Sequence, residues 1–559
     1  MKRFTTLGPL TLSLLFAAYS PPAHATTITV VGTSGTNGVD GAVGTNGGPG
    51  GDAIAITPAN SDASNTANAT GGAGGNGGSS TNNNTPGGKG ATGGNAAATA
   101  ATSTADSAGN GFATATATGG RGGGGGDPGF GTFPRFGAGG PGGNATSNAI
   151  VINVPNASVS STAIGGLGGF SGPSGPGGSA NAQASGIARE QATISATARG
   201  GDGSVPGGGG GSATLSSGGL GPAVFGSSVT GGTVTVSGTA IGGRGGSNST
   251  ACCIGGPGGS VSLISNGGVN DAIGGATSGT LNLTQTAIGG FGGFSGGAGG
   301  DATSTLIGTN PFGASTYNLT ANATGGLGNS SQKDGGSANA TADATAANGG
   351  IGNATANANG GQSNNDGGAA TANASVTNGG SAVAQATGGN GSFNGGAANA
   401  TATSTAMLGG TANASATATG GGGTFAGPAN ANSFATTING NAAQAKSTAT
   451  GSGGGQAQAT AQTNFGNFQS VQSMSASPLP NSYQVVTSAI AQTGGVVSLS
   501  NPIIPGQSFS VVSGSNFGPL TVANGSMGGR GLWRHGRADH LSGKRSLLLT
   551  HIQWRCFCA

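Results

Sequence analysis

"GGSANATADATAANGG", residues 335–350, carries Ala at every second position from Ala338 to Ala346, with Ser337, Asn339, Thr341, Asp343 and Thr345 between them. A period of two puts one residue type on each face of an extended strand. One face here is methyl groups alone, the other is short polar side chains, and Gly-Gly stands at each end. The next run, "NATANAN" (353–359), repeats the arrangement with Ala354, Ala356 and Ala358. Ala is a poor strand former, so pattern and stacking must override intrinsic propensity. Openings at 337, 353, 369, 381, 397 and 411 recur at the spacing of short strands joined by tight Gly turns, which predicts a meander or the rungs of a solenoid.

The same grammar extends through the chain. Openings such as "GGDAIAI" (50–56), "GGNATSNAIVINV" (142–154) and "GGDATSTLIG" (299–308) pair with closings such as "TATATGGRGG" (114–123), "STAIGGLGG" (161–169), "GTAIGGRGG" (238–246) and "QTAIGGFGG" (285–293). In the first half the connections are longer and triplet-periodic: Gly falls at every third position over Gly32–Gly50, Gly166–Gly178 and Gly290–Gly299. Three residues per turn is the period of the extended left-handed helix, and Gly at every third position lets such helices pack closely. Collagen is excluded by short runs and by only 22 Pro in 559 residues, because the triple helix needs sustained Gly-X-Y rich in Pro. The fold class expected is all-β: an elongated, solenoid-like β array with polyglycine II-type connections. A largely disordered low-complexity chain stands as the alternative.

Energetics make the array cooperative. Burying one Ala methyl contributes roughly 0.8 kcal/mol, while ordering one backbone residue costs about 1–2 kcal/mol. A single unit is unstable, so units must stack with their backbone N–H and C=O groups paired along ladders.

Composition narrows the function class. Gly is 127 of 559 residues, charged residues 5% and aromatics 4%, against a usual charged share of about 25%. Residues 26–529 hold eight basic side chains against twelve acidic ones, too dilute to steer nucleic acid or an anionic membrane. Glu190 is the single Glu, no His lies between His24 and His535, and no paired carboxylates or Ser-His-Asp set can be drawn. The chain is therefore read as no enzyme, with no catalytic, cofactor-binding or metal residues assigned and no cofactor.

Three local motifs bear on that reading. "GGPGGDAIA" (47–55) fits the calcium-binding nonapeptide repeat with Asp52 as ligand, and Asp301 is equivalent, yet Asn144, Ser179 and Ser260 stand at the same position elsewhere. The alternative role there is a polar residue opening a strand. Asn144, Asn339, Asn353 and Asn413 match the N-glycosylation sequon, a match that alternating Asn, Ala and Thr generates by itself. Thr-x-Thr runs such as "ATATATGG" (113–120) are similar to ice-binding surfaces, but Thr mixes with Asn, Ser, Asp and Gln, which argues against a regular array.

"GGAGGNGG" (71–78), "GGRGG" (120–124) and "GGPGG" (255–259) look like the Gly-rich repeats of mycobacterial PE-PGRS surface proteins and resemble Gly-rich passenger regions of bacterial adhesins. The likeness covers roughly residues 30–460 and is one of composition. The helical N-terminal domain of PE-PGRS proteins is replaced by Lys2, Arg3, an apolar stretch and "AHA" (23–25), the pattern of a signal peptide cleaved after Ala25. The resemblance implies a secreted or cell-surface protein and transfers no active residue.

The expected organisation is a signal peptide (1–25), a repeat region (26–464), a C-terminal β module (465–529) and an atypical tail (530–559). "RGLWRHGRADHLSGKRSLLLTHIQWRCFCA" concentrates both Trp and six of the sixteen basic residues, as an out-of-frame tail would. Vicinal Cys252 and Cys253 are read as incidental, and His535, His540, His551, Cys556 and Cys558 match no standard zinc spacing. The function expected is an exported structural or adhesive protein acting through a repetitive polar β surface on polysaccharide matrix, other cells or its own copies. Nucleic acid is not expected as a partner, nor a transmembrane segment in the mature chain. The alternatives are an ice-binding protein or a calcium-stabilised array.

Overall fold

The computed structural model describes residues 25–524 apart from residues 61, 104–108, 131–134, 220, 248–254, 269, 310–312, 330–332, 347–349, 408–409, 439–441, 452, 465–469, 477–482, 492–495 and 502–519; beyond residue 462 it describes the strand backbones alone. The signal-peptide core, the two cysteine pairs and the tail lie outside the described residues.

All named strands pair in parallel, twenty in one hydrogen-bonded sheet and eight in a second. Parallel pairing excludes the meander and leaves the solenoid rung. Each rung supplies a strand to either of two facing layers. In one layer Thr280–Ile288, Thr316–Thr324, Ile351–Asn359, Gly380–Thr387 and Thr411–Thr419 follow one another without a register break. In the other, Ala302–Thr309, Ala338–Thr345, Ala370–Thr377, Ala398–Ala406 and Ala429–Ile438 do the same. The strand of the quoted stretch is thus one plank of the second layer.

In two rungs one continuous strand serves both layers. The first half of Ala145–Ile164 pairs with Ala96–Ser103 and its second half with Gly111–Thr118. A register shift around Ile152, Val154 and Asn156, with Asn153 at a left-handed φ of 62°, marks the crossing. Ala180–Arg199 repeats the passage, and these long strands join the two layers into the twenty-stranded sheet.

The layers meet through their alternating faces. Ala338, Ala340, Ala342, Ala344 and Ala346 are fully buried, as are Ala354, Ala356 and Ala358 opposite them. Between residues 151 and 319 the same core carries Val151, Val159, Ile194, Val224, Leu263, Ile273, Leu283, Leu306, Tyr317 and Leu319. The core is therefore wide at mid-length and from Ala338 onward narrows to Ala methyl groups, with Val376 the one larger apolar side chain among the described residues. Two pairs of inward-facing serines bond across it: Ser147 with Ser161 at 2.7 Å and Ser433 with Ser447 at 2.8 Å. Gln285 is the largest of the inward-facing polar residues. It accepts from Ser265 at 2.8 Å and donates to the carbonyls of Leu263 (3.0 Å) and Thr305 (3.1 Å), which removes the cost of burying an amide.

The Gly-rich connections form the other half of each rung. Residues 32–41 run outward from the first strand and residues 44–51 run back beside them. Gly48 donates to the Thr36 carbonyl and Gly51 to that of Thr33, while Gly35 and Gly38 donate to Ala73 and Asn76 of the next rung. Three residues separate each bond from the next, as the polyglycine II period requires. The pattern continues in the second half, where the sequence suggests simple turns. Gly336 of the quoted stretch donates to Gly326 and Gly361 donates to Gly336, each at 2.8 Å. Gly-Gly there is the shortest form of the same helix, a single triplet instead of the three at 119–127, and its bonds reach neighbouring rungs as a turn's would not. The Gly-Gly-X grammar follows from the two bonds. The first Gly faces the next rung, the second faces the antiparallel helix, and the third position points to solvent, as for Ala73, Asn76, Arg121 and Leu167. A Cβ at Gly361 would collide with the Gly326 carbonyl oxygen.

Strands in the stretch read as a C-terminal β module stay on the same ladders. Ser470–Ala476 pairs with Ala442–Thr448 and Tyr483–Ala491 with Gly455–Thr463.

Candidate binding surface

Parallel in-register stacking converts a repeat in sequence into columns of like side chains on the outer face. On the layer that contains Ile351–Asn359, the second outward column reads Thr27, Thr66, Thr114, Ser160, Ser195, Ser237, Thr284, Thr320 and Thr355. The third reads Thr29, Asn68, Thr116, Thr162, Thr197, Thr239 and Thr286, then Asn322 and Asn357. From Gly111–Thr118 to Thr280–Ile288 both columns are purely hydroxyl. The mixture of Thr with Asn and Gln that the linear sequence displays is thus partly sorted by register: hydroxyls fill both columns over those rungs, and the third column then runs Asn322, Asn357 and Gln385 before it returns to Thr417 and Thr448.

Amides join into ladders. Asn318 donates to Asn282 at 2.7 Å and Asn353 donates to Asn318 at 2.8 Å. Two positions along the same strands, Asn357 donates to Asn322 at 2.9 Å, which donates to Thr286 at 3.2 Å. Each amide bonds to its equivalent one strand away, so the surface is pre-ordered and a ligand meets side chains already held in one rotamer.

The polar residues that open the strands form a third file. Asp52 Oδ1 accepts the Asn95 backbone N–H at 2.7 Å, Asn95 Oδ1 that of Asn144 at 2.9 Å, and Asn144 Oδ1 that of Ser179 at 2.9 Å. Asp301 Oδ1 likewise takes the Ser337 N–H and hydroxyl, each at 2.7 Å. This position needs an acceptor one bond from Cβ or Cγ, which Asp, Asn and Ser all provide. Asp52 and Asp301 direct these oxygens at backbone N–H groups. Of the sequon residues, Asn144 and Asn353 are engaged in these inter-rung bonds.

A different chemistry borders the hydroxyl columns. The outward residue closing each strand and the third residues of the following triplets form one strip: Ile164, Leu167 and Phe170; Arg199, Asp202 and Val205; Ile241 and Arg244; Ile288, Phe291 and Phe294. Arg121 lies 5.5 Å above the Phe170 ring and Arg244 4.8 Å above that of Phe291. Arg199 pairs with Asp202 at 3.2 Å. Past Leu327 the strip meets an open groove of about 260 Å³ lined by amides and hydroxyls, among them Asn329, Gln362, Ser363 and Asn390. Sequence reasoning noted the closings that carry these residues as a repeat signature, but the columns emerge only once the strands are in register.

No family model and no curated protein matches the chain. Among solved structures it is similar to the nine polyproline type II helical bundle springtail antifreeze protein from Granisotoma rainieri, at 21% identity over 44% of this chain and 94% of that one. The TM-score is 0.09, and the likeness carries no argument about fold or function.

Proposed function

We propose that the chain is an exported, non-catalytic structural and adhesive protein that holds polysaccharide on the outer face of its hydroxyl- and amide-bearing layer. The observation that supports this reading is the pair of columns at Thr114 and Thr116, Ser160 and Thr162, Ser195 and Thr197, Ser237 and Thr239, and Thr284 and Thr286. Successive strands lie about 4.8 Å apart, so the columns offer a dense two-dimensional set of donors and acceptors. Each hydrogen bond to a sugar hydroxyl is weak after exchange with water, about 1 kcal/mol, and avidity comes from repetition. Sedimentation with insoluble cellulose and chitin tests it: the full chain is expected in the pellet, and a change of Thr116, Thr162, Thr197 and Thr239 to Val is expected to release it. Wild-type protein that stays in the supernatant of every polysaccharide overturns the reading.

The uninterrupted hydroxyl pairs also support a second reading, a face that orders water and binds ice. Freezing-point depression with faceted crystal growth, lost in the same variant, would establish it; unshaped ice growth would eliminate it.

A further inference from the structure

We infer that the strip beside the hydroxyl columns binds acidic polysaccharide, its arginines taking carboxylate groups and its phenylalanines the apolar faces of the sugar rings. The inference rests on the polysaccharide reading and adds the charge class of the ligand. The strip concentrates what the rest of the chain avoids. Charged residues are 5% of the sequence and aromatics 4%, yet three of the eight basic residues of 26–529, Arg121, Arg199 and Arg244, lie here with Phe170, Phe291 and Phe294. Phe170 is 51% exposed, Phe294 64% and Leu167 49%. Exposed phenyl rings and arginines set side by side along one file of rungs, on an otherwise polar face, are a binding feature.

The arginines are placed to receive an anion. Arg199 is neutralised by Asp202. Arg121 and Arg244 instead lie over phenyl rings, and among the described residues neither pairs with a carboxylate. The Arg244 backbone N–H donates to Asp202 Oδ1 at 2.9 Å, and its guanidinium lies over the Phe291 ring. A guanidinium over a ring face gives none of its N–H donors to a carboxylate, so the fork that matches a carboxylate is left for a ligand. Gly124, at a third position that other rungs fill, lies against the Phe170 ring, so the missing side chain makes room for the phenyl beneath Arg121. A linear polymer of uronic acids suits the strip because it repeats carboxylate and apolar ring face along one line. The hydroxyl columns alongside meet the remaining sugar hydroxyls.

Solid-phase binding of the full chain to polygalacturonate and to dextran is the test, with the exposed double variant Arg121→Gln/Arg244→Gln and thermal unfolding as a folding control. Wild type is expected to bind polygalacturonate about tenfold more tightly than dextran, as charge-assisted pairs summed along a polymer would give, and to lose that margin in high salt. The double variant is expected to unfold at the wild-type temperature, bind dextran unchanged and lose its preference. Equal binding of the two polymers, or an unaltered preference in the folded variant, overturns the inference while the polysaccharide reading stands. Binding to neither polymer overturns the inference too, and the sedimentation with cellulose and chitin then decides the polysaccharide reading by itself. Preference for anionic phospholipid vesicles over polygalacturonate also overturns it and assigns the strip to a membrane surface.

Discussion

The strand side and the polyglycine side of each rung reach close packing by opposite means. On the strand side the layers meet through side chains, and the core accepts different sizes: Leu283 and Tyr317 at mid-length, mainly Ala methyl groups from Ala338 onward. On the polyglycine side the backbones meet directly. Gly326, Gly336 and Gly361 each place a missing Cβ against a neighbouring carbonyl, and all variation is displaced to the third position of the triplet. Side-chain chemistry is therefore free to vary in two places, the outer strand columns and the third positions. The hydroxyl face and the arginine–phenylalanine strip occupy those two places.

The largest effect that tests this contrast is expected at a single hydrogen atom. Gly361→Ala drives a methyl into the Gly326 carbonyl, and Gly361 is itself bonded to Gly336, so neither helix can retreat without breaking the ladder. Its cost should exceed the ~1–3 kcal/mol of ordinary overpacking, and circular dichroism should record loss of cooperative unfolding. Gln362→Ala, one residue on and exposed, should stay within about 0.5 kcal/mol of wild type. Equal tolerance at the two positions would mean that the helices are not in backbone contact.

A reciprocal pair of substitutions examines the strand side. Leu283→Ala in the wide part of the core should cost about 2–5 kcal/mol through the cavity it leaves. Ala356→Leu reverses the change where the layers meet through methyl groups, and at a fully buried position the added atoms must push the layers apart. Its cost is expected to be about 3 kcal/mol, the upper end for overpacking. Chemical denaturation of both variants decides it: a neutral Ala356→Leu would show that the narrow part is loosely packed.

Much of this was legible in the sequence because it is periodic. Alternation at 338–346 fixes which face of the strand is buried, and the triplets at 32–50 announce an extended left-handed helix. Column identity was not legible. It depends on register between strands whose openings are 12 to 16 residues apart in the second half, and the connections absorb those differences. Gly335 and Gly336 looked like a turn because one triplet is too short to show a period. The stretch at Asp52 fits two roles because the calcium-binding nonapeptide repeat and a hydrogen-bonded strand opening share Gly-Gly-x-Gly-x-Asp. Only Asn and Ser at the equivalent positions hinted that a neutral acceptor serves as well.

The smallest expected effect separates the two sides by pH. Tyr317 is buried in the strand core, and burial, with the Asp343 carboxylate adding to it, raises its phenol above the ordinary value of 10.0. The folded chain then holds this proton more tightly than the unfolded chain. Its contribution to stability is fully present below pH 10 and is lost as the pH rises above that value. The Gly-Gly ladders that pair backbone with backbone contain no group that titrates there. Thermal unfolding followed from neutral pH to above pH 10 should therefore show a steeper alkaline decline for wild type than for Tyr317→Phe. Parallel curves would mean that the phenol reaches water in the folded state and that the wide part of the core is open at this rung. A steeper wild-type curve would show that the side of the rung built from side chains carries a vulnerability which the side built from backbone does not.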